Sequence, residues 1–600
     1  MKDRSFLDLR SYISFLRSEE ELVVVEAPVD VNQEVAEIHR RVIAADGPAL
    51  LFTNVEGYSF PVVTNLFGTR KRVEFAFGEK PLLFIKDLVK LLQRSPPSIK
   101  NLWENRDILR SAFRIGTKQR KTGEINEIIN NSLDLSHLPI LTSWPEDGGP
   151  FLTLPLVFTG SPSGHAPNLG IYRMQVHGPN KAGMHWQIGK GGGYHYSLAE
   201  SMRQPLPVTV FLGGPPSLIL AAVAPLPENI PEILMASLIL GKKLRMITGL
   251  GPHPIPEKCE FALVGKVLPD RRFPEGPFGD HYGYYSLIHD YPVFELQKIY
   301  QRRNAIYPAT VVGKPRQEDF YIGDFLQELL KPIFPLVMPG VVDIWAYGET
   351  GYHSLAAAVV RERYRREAMA SAFRILGEGQ LSLTKFLFVT DKPVDLLDFK
   401  ATLTHILERT NPARDLYVLS NLAMDTLDYT GPRVNEGSKG VWLGLGDPKR
   451  SLPKVFANKE IPIGVDKVIV FCPGCLVIGC KSWLDEPELA IRLAKHPAFA
   501  DWPLLILTTE AERATASSIN FLWTTFTRFE PAANLFSKNT FIDRNHISYE
   551  FPIVIDARIK PNYPKELSCS SEISERVSNR WKEYFSARVE MGDAEKGHLD

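Results

Sequence analysis

Along SFLDLRSYISFLR the apolar residues recur at helical spacing, which predicts an amphipathic helix over roughly 5–17, followed by a strand in ELVVVEA. NQEVAEIHRRVIAA repeats the helical period. Asn32 is placed to cap it, and Gly47-Pro48 to end it ahead of the strand ALLFTNV. Residues 1–115 are therefore expected to form a mixed α/β domain. From 116 to 317 the period shortens. FLTLPLVFTGSPSG, NLGIYRMQVHG, RQPLPVTVFLGG and LRMITGLG are short β-favouring runs between Gly/Pro turns, the pattern of a β-barrel or sandwich, interrupted by one helix in PEILMASLILGKK. From 318 to 480 strands (GVVDIWA, KFLFVTD, LYVLSN, KVIVFC) alternate with helices (SLAAAVVRERYRREAMASAFRIL, LLDFKATLTHILERT), which predicts a second α/β domain. Residues 481–600 read as helical and irregular, with a polar, charged tail from about 590. No internal repeat and no low-complexity segment stands out.

Composition narrows the class. With 69 basic against 69 acidic residues there is no basic footprint for nucleic acid. The N-terminal segment carries charges throughout, unlike a signal peptide. The most apolar run, PVTVFLGGPPSLILAAVAPLP, is broken by Gly213, Gly214, Pro215 and Pro216 and is not a single spanning helix. A cytoplasmic location is expected. The five cysteines include Cys472, Cys475 and Cys480 in FCPGCLVIGC. One CxxC with a third Cys and no second pair favours small apolar residues at a strand end over a metal or redox site.

The candidate chemistry lies in the middle of the chain. EGPFGDHYGYYS sets Glu275 and Asp280 on one turn around Gly276, Pro277 and Gly279, leading into an expected strand HYGYYS. In a solvated loop two acids need no explanation; held rigidly beside a cofactor they mean proton chemistry. NLGIYRMQVHG puts Asn168 and Arg173 on a strand. MHWQIGKGGGYHY supplies His185, Lys190 and glycines 191–193, and Glu232 opens a helix. Asn168, His185 and Glu232 suit a divalent ion such as Mn²⁺ or Mg²⁺, yet their separation matches no local metal motif. A carboxylate at a helix N-terminus and a packed histidine are the alternatives. GKGGGYHY reads either as a phosphate-binding loop or as a flexible hairpin. Arg173 is expected to pair with an acid, with Glu275 a candidate.

NLFGTRKRVEFAFG, DLSHLPILTSWPEDGG, NLGIYRMQ, EGPFGDHYGYYS, QRRNAIYPATVVGKP and NPARDLYV occur in this order and resemble the UbiD decarboxylases over roughly residues 5–445. The resemblance implies a multi-domain α/β fold: an N-terminal α/β domain, a central flavin-reductase-like split β-barrel binding prenylated FMN, and a C-terminal α/β oligomerisation domain, here followed by the extension 481–600. It implies a cofactor made by a UbiX-like flavin prenyltransferase, with Mn²⁺ (or Mg²⁺) and often K⁺ gripping its phosphate. Asn168 and Glu232 match the metal ligands, and His185 stands at a third position where some relatives have Arg. Ile171, Tyr172, Arg173, His185, Trp186, Gln187, Lys190 and Gly191 match cofactor contacts. Lys439, in NEGSKG, matches a lysine that reaches the cofactor from the C-terminal domain.

Arg173, Glu275 and Asp280 match the family's catalytic ion-pair network. Glu275 beside Arg173 is expected to stay ionised, and Asp280, near that anion and shielded from water, to have a raised pKa and donate the proton. The implied substrate is an aromatic acid of quinone biosynthesis: a 4-hydroxy-3-polyprenylbenzoate type, or alternatively a dihydroxynaphthoate-type menaquinone precursor. A homo-oligomer (dimer or hexamer) and transient contact with a membrane surface are also expected. A split-barrel FMN oxidoreductase is the reading from another class, and it needs no acid pair. A non-catalytic assembly protein is a third, for which the intact Arg173–Glu275–Asp280 set is unexpected.

Overall fold

The first helical period is realised as the helix Leu9–Ser18, where Asp8 accepts the Ser11 N–H at 2.8 Å and Leu9, Tyr12, Ile13 and Leu16 form the buried stripe. The structure is a computed structural model and describes residues 5–93, 114–130, 132–187, 191–226, 230–314, 316–457, 460–585 and 589–593. Two units emerge: Met1–Leu329 with Lys565–Gly597, and Leu330–Pro564.

In the first unit, Asn32 does not cap the second helix. Glu34–Ala44 starts from Gln33 at φ +67°, and Asn32 bridges to Thr142 instead, while the Glu34 carboxylate accepts the Asp30 N–H at 2.8 Å. The left-handed turn at Gln33 takes the Asn32 side chain away from the first helical N–H groups. A four-stranded sheet joins Leu22–Val25, Ala49–Phe52, Val62–Thr64 and Tyr307–Pro308.

The central sheet is antiparallel throughout. Its order is Phe151–Leu152, Met174–Gly178, Lys181–Gly183, His289–Gln301, Phe261–Glu275, Leu206–Leu212, Leu156–Thr159 and Asn168–Ile171, with Ile128–Asn130 added alongside His289–Gln301. Asn168–Ile171 closes one edge and Met174–Gly178 lies next to the other, yet only Tyr172 and Arg173 separate them in sequence. In a flat sheet, six inter-strand spacings would put them about 29 Å apart. The connecting residues span about 10 Å at most. The sheet must curl until its edges approach, around a core that includes Val208, Val210, Leu212, Phe261, Leu263, Phe294 and Met174. Arg173 sits at the crossing.

The last part of the chain returns to this unit. Helix Ser571–Tyr584 packs on Glu34–Ala44, where Arg580 Nη1 and the Tyr584 hydroxyl both donate to Glu34 Oε1 at 2.6 Å.

The second unit holds two five-stranded sheets. SLAAAVVRERY, expected to begin a helix, is the strand Leu355–Val360, and the helix is confined to Glu367–Ile375. Every residue of LAAAVV is buried and both edges are paired, so strand packing overrides the helix preference of alanine. The extension, expected to be helical and irregular, contributes the strands Leu504–Thr508, Leu535–Ser537 and Ile553–Asp556. KVIVFC joins these strands rather than the sheet of the preceding segment. Its strand Val465–Cys472 turns through Pro473 and Gly474, at φ +81°, into Cys475–Cys480. All five cysteines are free thiols, with Cys472, Cys475 and Cys480 buried.

Both sheets have one topology: two antiparallel strands, two parallel additions, and an antiparallel fifth at the edge. The hydrophobic periodicity along the chain shows no such repeat. No helix among the described residues is long and apolar enough to cross a membrane.

Candidate active site

Glu275 is the last residue of the long strand Phe261–Glu275, paired with His289. The chain then leaves the sheet through Gly276 at φ +105°, a conformation that favours glycine. This brings the acid turn to the crossing that carries Arg173. Arg173 Nη2 and Nε donate to Glu275 Oε1 at 2.7 and 3.1 Å, and Nη1 donates to Asp280 Oδ2. The guanidinium lies 4.4 Å from the centroid of the Phe278 ring and reaches Ser286 Oγ at 3.4 Å. His185 Nδ1 donates to Glu275 Oε2 at 2.9 Å, and His281 donates to Asp280 Oδ1 from Nδ1 at 2.6 Å and from its backbone N–H at 2.7 Å. The Arg173, Glu275 and Asp280 side chains are 9%, 0% and 7% exposed, so these charges are screened by one another rather than by water.

Burial alone raises both carboxyl pKa values. For Glu275 the charge of Arg173, together with the hydrogen bonds from His185 and Arg173, more than reverses this and holds it at about 2. For Asp280 burial is likewise outweighed, by Arg173 and then by the hydrogen bond and charge of His281, leaving it well below the ordinary carboxylate range. The expected rise for Asp280 is therefore corrected. A cation in direct contact exceeds the effect of a neighbouring anion that the same cation already neutralises. The resting state is a doubly ionised acid pair bridged by one arginine.

Neighbouring loops hold the turn. Asp147 accepts the Gly279 N–H at 2.8 Å on one oxygen, and the Ser143 and Trp144 N–H groups at 3.0 and 2.9 Å on the other. Burial pushes its carboxyl up to about 6 against those hydrogen bonds. Gln175 accepts the Gly276 N–H at 2.8 Å and donates to the Gly148 carbonyl at 2.7 Å. A Cβ on Gly279 would sit 2.0 Å from Trp144 Cδ1, so that close approach requires glycine.

HYGYYS is a turn with isolated bridges rather than the expected strand, because its backbone partner comes from residues 565–567. Tyr285 N–H donates to the Lys565 carbonyl and Leu567 N–H to the Gly283 carbonyl, both at 3.0 Å, and Leu567 packs with Trp144 and Tyr285. Asp147, Gln175, His281 and Ser286 do not stand out in the sequence, although Asp147 lies in the motif SWPEDGG and His281 and Ser286 in EGPFGDHYGYYS. Nothing local marks Leu567.

The expected cofactor and metal residues gather next to this network. Ile171 ends the edge strand, and the Tyr172 hydroxyl accepts from Asn168 Nδ2 at 3.3 Å and from the Gly192 N–H at 3.2 Å. Gly191 opens the helix Gly191–Ser201 so close to Asn168 that a Cβ there would sit 2.1 Å from Asn168 Oδ1. Glu232 accepts the Leu169 N–H at 3.0 Å, and burial raises its pKa with only backbone N–H groups in opposition. The Trp186 indole N–H is buried without a partner among the described residues.

His185 Nδ1 is engaged by Glu275, and its Nε2 lies 3.4 Å from Gln187 Nε2. Lys190 lies outside the described residues. Lys439 is buried in the second unit, donating to the Ser382 and Thr384 carbonyls at 2.8 Å each, and burial lowers its pKa to about 8. Among the described residues no group of three or more His, Cys, Asp or Glu is arranged to hold a metal. An orphaned indole donor, a half-buried carboxylate and a helix N-terminus built on glycine nonetheless fit an anionic, cation-bearing cofactor.

Comparison with known proteins is consistent along the chain. Three family descriptions match in order: the 3-octaprenyl-4-hydroxybenzoate carboxy-lyase N-terminal domain over residues 13–92, its Rift-related domain over 117–315 and its C-terminal domain over 320–444. A Chlamydia pneumoniae protein, named as one of the subunits of a 4-hydroxybenzoate decarboxylase, is 51% identical over 578 residues, covering 96% of this chain and 98% of that one. The vanillic acid decarboxylase of Sedimentibacter hydroxybenzoicus in closed form aligns with a TM-score of 0.65 at 23% identity, covering 77% of this chain and 97% of that one. An evolved dimeric form of the UbiD-class enzyme HmfF from Pelotomaculum thermopropionicum, in complex with prFMN, aligns with a TM-score of 0.60 at 22% identity, covering 76% and 99%.

Proposed function

We propose that this chain, which belongs to the UbiD family of carboxy-lyases, decarboxylates an aromatic carboxylic acid without net oxidation, using prenylated FMN and Asp280 as proton carrier. The observation that carries the reading is the buried Arg173–Glu275–Asp280 cluster, in which one cation serves two carboxylates.

Prenylated FMN, when bound, supplies the electron sink that a departing CO₂ requires. Tyr172, Trp186, Gln187 and Gly191 would line it, and Asn168 with Glu232 would hold a divalent cation such as Mn²⁺ against its phosphate. A UbiX-like prenyltransferase is the supplier in this reading. The chain's own residues do the rest. A substrate carboxylate entering beside Arg173 adds a third anion to a site that water does not screen. One carboxyl must then take up a proton. Glu275 takes two Arg173 nitrogens on one oxygen and His185 Nδ1 on the other, and Asp280 takes Arg173 Nη1 on one oxygen and the His281 ring and backbone N–H groups on the other. In this reading Asp280 is the group that protonates. On loss of CO₂ it delivers that proton to the ring carbon and returns to its ionised resting state, so that ArCO₂⁻ and one proton become ArH and CO₂.

The relative named for 4-hydroxybenzoate supports a 4-hydroxybenzoate-type acid, with a 4-hydroxy-3-polyprenylbenzoate of quinone biosynthesis as the finer proposal. The test is Asp280→Asn, made with a flavin prenyltransferase co-expressed. It is expected to retain cofactor, read by mass and visible spectrum, while single-turnover CO₂ release falls by the ~10²–10⁴-fold typical of a general acid. Turnover near the parent level removes Asp280 from the reaction.

A further inference from the structure

We infer that residues 465–556 are a second copy of the α/β domain at 341–444, and that the two copies pair within one chain through matching faces. Topology is the first support: both sheets run antiparallel, parallel, parallel, antiparallel in the same strand order. Sequence is the second. Arg409-Thr-Asn-Pro-Ala-Arg-Asp-Leu-Tyr417 recurs as Arg528-Phe-Glu-Pro-Ala-Ala-Asn-Leu-Phe536. Local hydrogen bonding repeats with it. Asp415 accepts the Asn411 N–H at 2.8 Å, and Asn534 accepts the Glu530 N–H at 2.9 Å. Asn411 and Glu530 in turn cap the short helices Pro412–Asp415 and Pro531–Asn534.

The copies meet reciprocally, as an isologous pair does when the same patch is used from both sides. In the first copy, helix Phe399–Arg409 packs on the leading strand of the second, Val465–Cys472; the matching helix Ser518–Phe526 packs on Gly348–Thr350, which follows the leading strand of the first. Ala532 N–H donates to Ser438 Oγ at 2.8 Å, and at the equivalent position Ala413 accepts from Ser548 Oγ at 2.9 Å. Phe399 and Phe521, from the matching helices, lie 5.7 Å apart, and Phe386 is 6.1 Å from Phe526, all within one buried cluster. A two-fold interface is thus filled in cis, and that face is closed to a second copy of this chain.

The experiment mixes isotopically light and heavy full-length protein, equilibrates the mixture, cross-links it and sorts the linked peptides by label. Links between 398–444 and 518–556 are expected only as light–light or heavy–heavy pairs at every concentration. Mixed light–heavy links between those segments overturn the inference. Because the readout is peptide mass and not turnover, its failure is distinct from failure of the proposed reaction.

Discussion

The charged cluster at Arg173 and the aromatic seam between the two sheets of the second unit are both dry interiors, held by opposite kinds of force. In the cluster every contact is directional. Three nitrogens of one guanidinium are aimed at two carboxylates, each of which takes a further donor from a histidine. In the seam, rings at centroid separations of 5.7–6.2 Å gain from area and shape, with no atom-to-atom requirement. Charge removed from water tolerates no missing partner, whereas apolar packing tolerates a change that conserves volume. In the proposed reaction the cluster is therefore where chemistry is specified, and in the inferred pairing of copies the seam is where assembly is.

The hardest test of that contrast is Arg173→Met. Two buried carboxylates would lose their cation, so we expect turnover to vanish and stability to fall by roughly 3–5 kcal/mol. Urea midpoints measured against pH should show the variant recovering as acid neutralises the pair. If the variant keeps parent stability at neutral pH, the carboxylates are not the buried anions described here.

Glu275→Gln is next in size. Arg173 loses half of its pairing, and turnover is expected to drop by about 10²–10⁴-fold. The double variant with Asp280→Asn should cost far less than the product of the singles, because the three residues act as one unit. Independent, multiplicative losses in single-turnover CO₂ release would argue for separate roles.

In the seam, Phe521→Ala should cost about 3–5 kcal/mol in denaturant unfolding, while turnover of the folded fraction stays at the parent level. Phe521→Leu should cost much less, under about 1.5 kcal/mol if the site repacks. Equal losses for the two would mean the ring has a directional role.

The smallest effect is the pH dependence of Glu275. Its folded pKa of about 2 lies below the 4.5 of the free side chain, so its contribution is full above 4.5 and disappears as pH falls through about 2. The stability difference between the parent and Glu275→Gln should shrink across that window and be flat above it. A difference that grows as pH falls reverses the sign and the assignment.

Much of the site is legible in the sequence because its residues sit in short motifs whose turn chemistry is local. Gly276 and Gly279 mark a sharp turn wherever they occur, and the two acids flank them. The ionisation of Asp280 is not legible. It depends on an arginine 107 residues away and on a histidine that the motif contains but does not orient. LAAAVV misleads because a run of small apolar residues suits a helix or a central strand equally, and only its pairing partners choose. The repeat at 465–556 is hidden because what it shares with 341–444 is topology and a few turn and cap positions, while its apolar positions have been refilled with other side chains.

By itself, then, the sequence determined the elements whose signals are local: the N-terminal amphipathic helix, the short β-runs of the central sheet, the acid turn, and the family to which the chain belongs. These follow from hydrophobic period and backbone permissiveness, which act over a few residues. Only the tertiary structure decided the rest. It carried Leu567 back against Trp144 and Tyr285, engaged His185 with Glu275, and set two α/β copies face to face. Those outcomes rest on burial and Coulomb energies between residues far apart in the chain, and such energies take their values only once folding has removed the water between the groups.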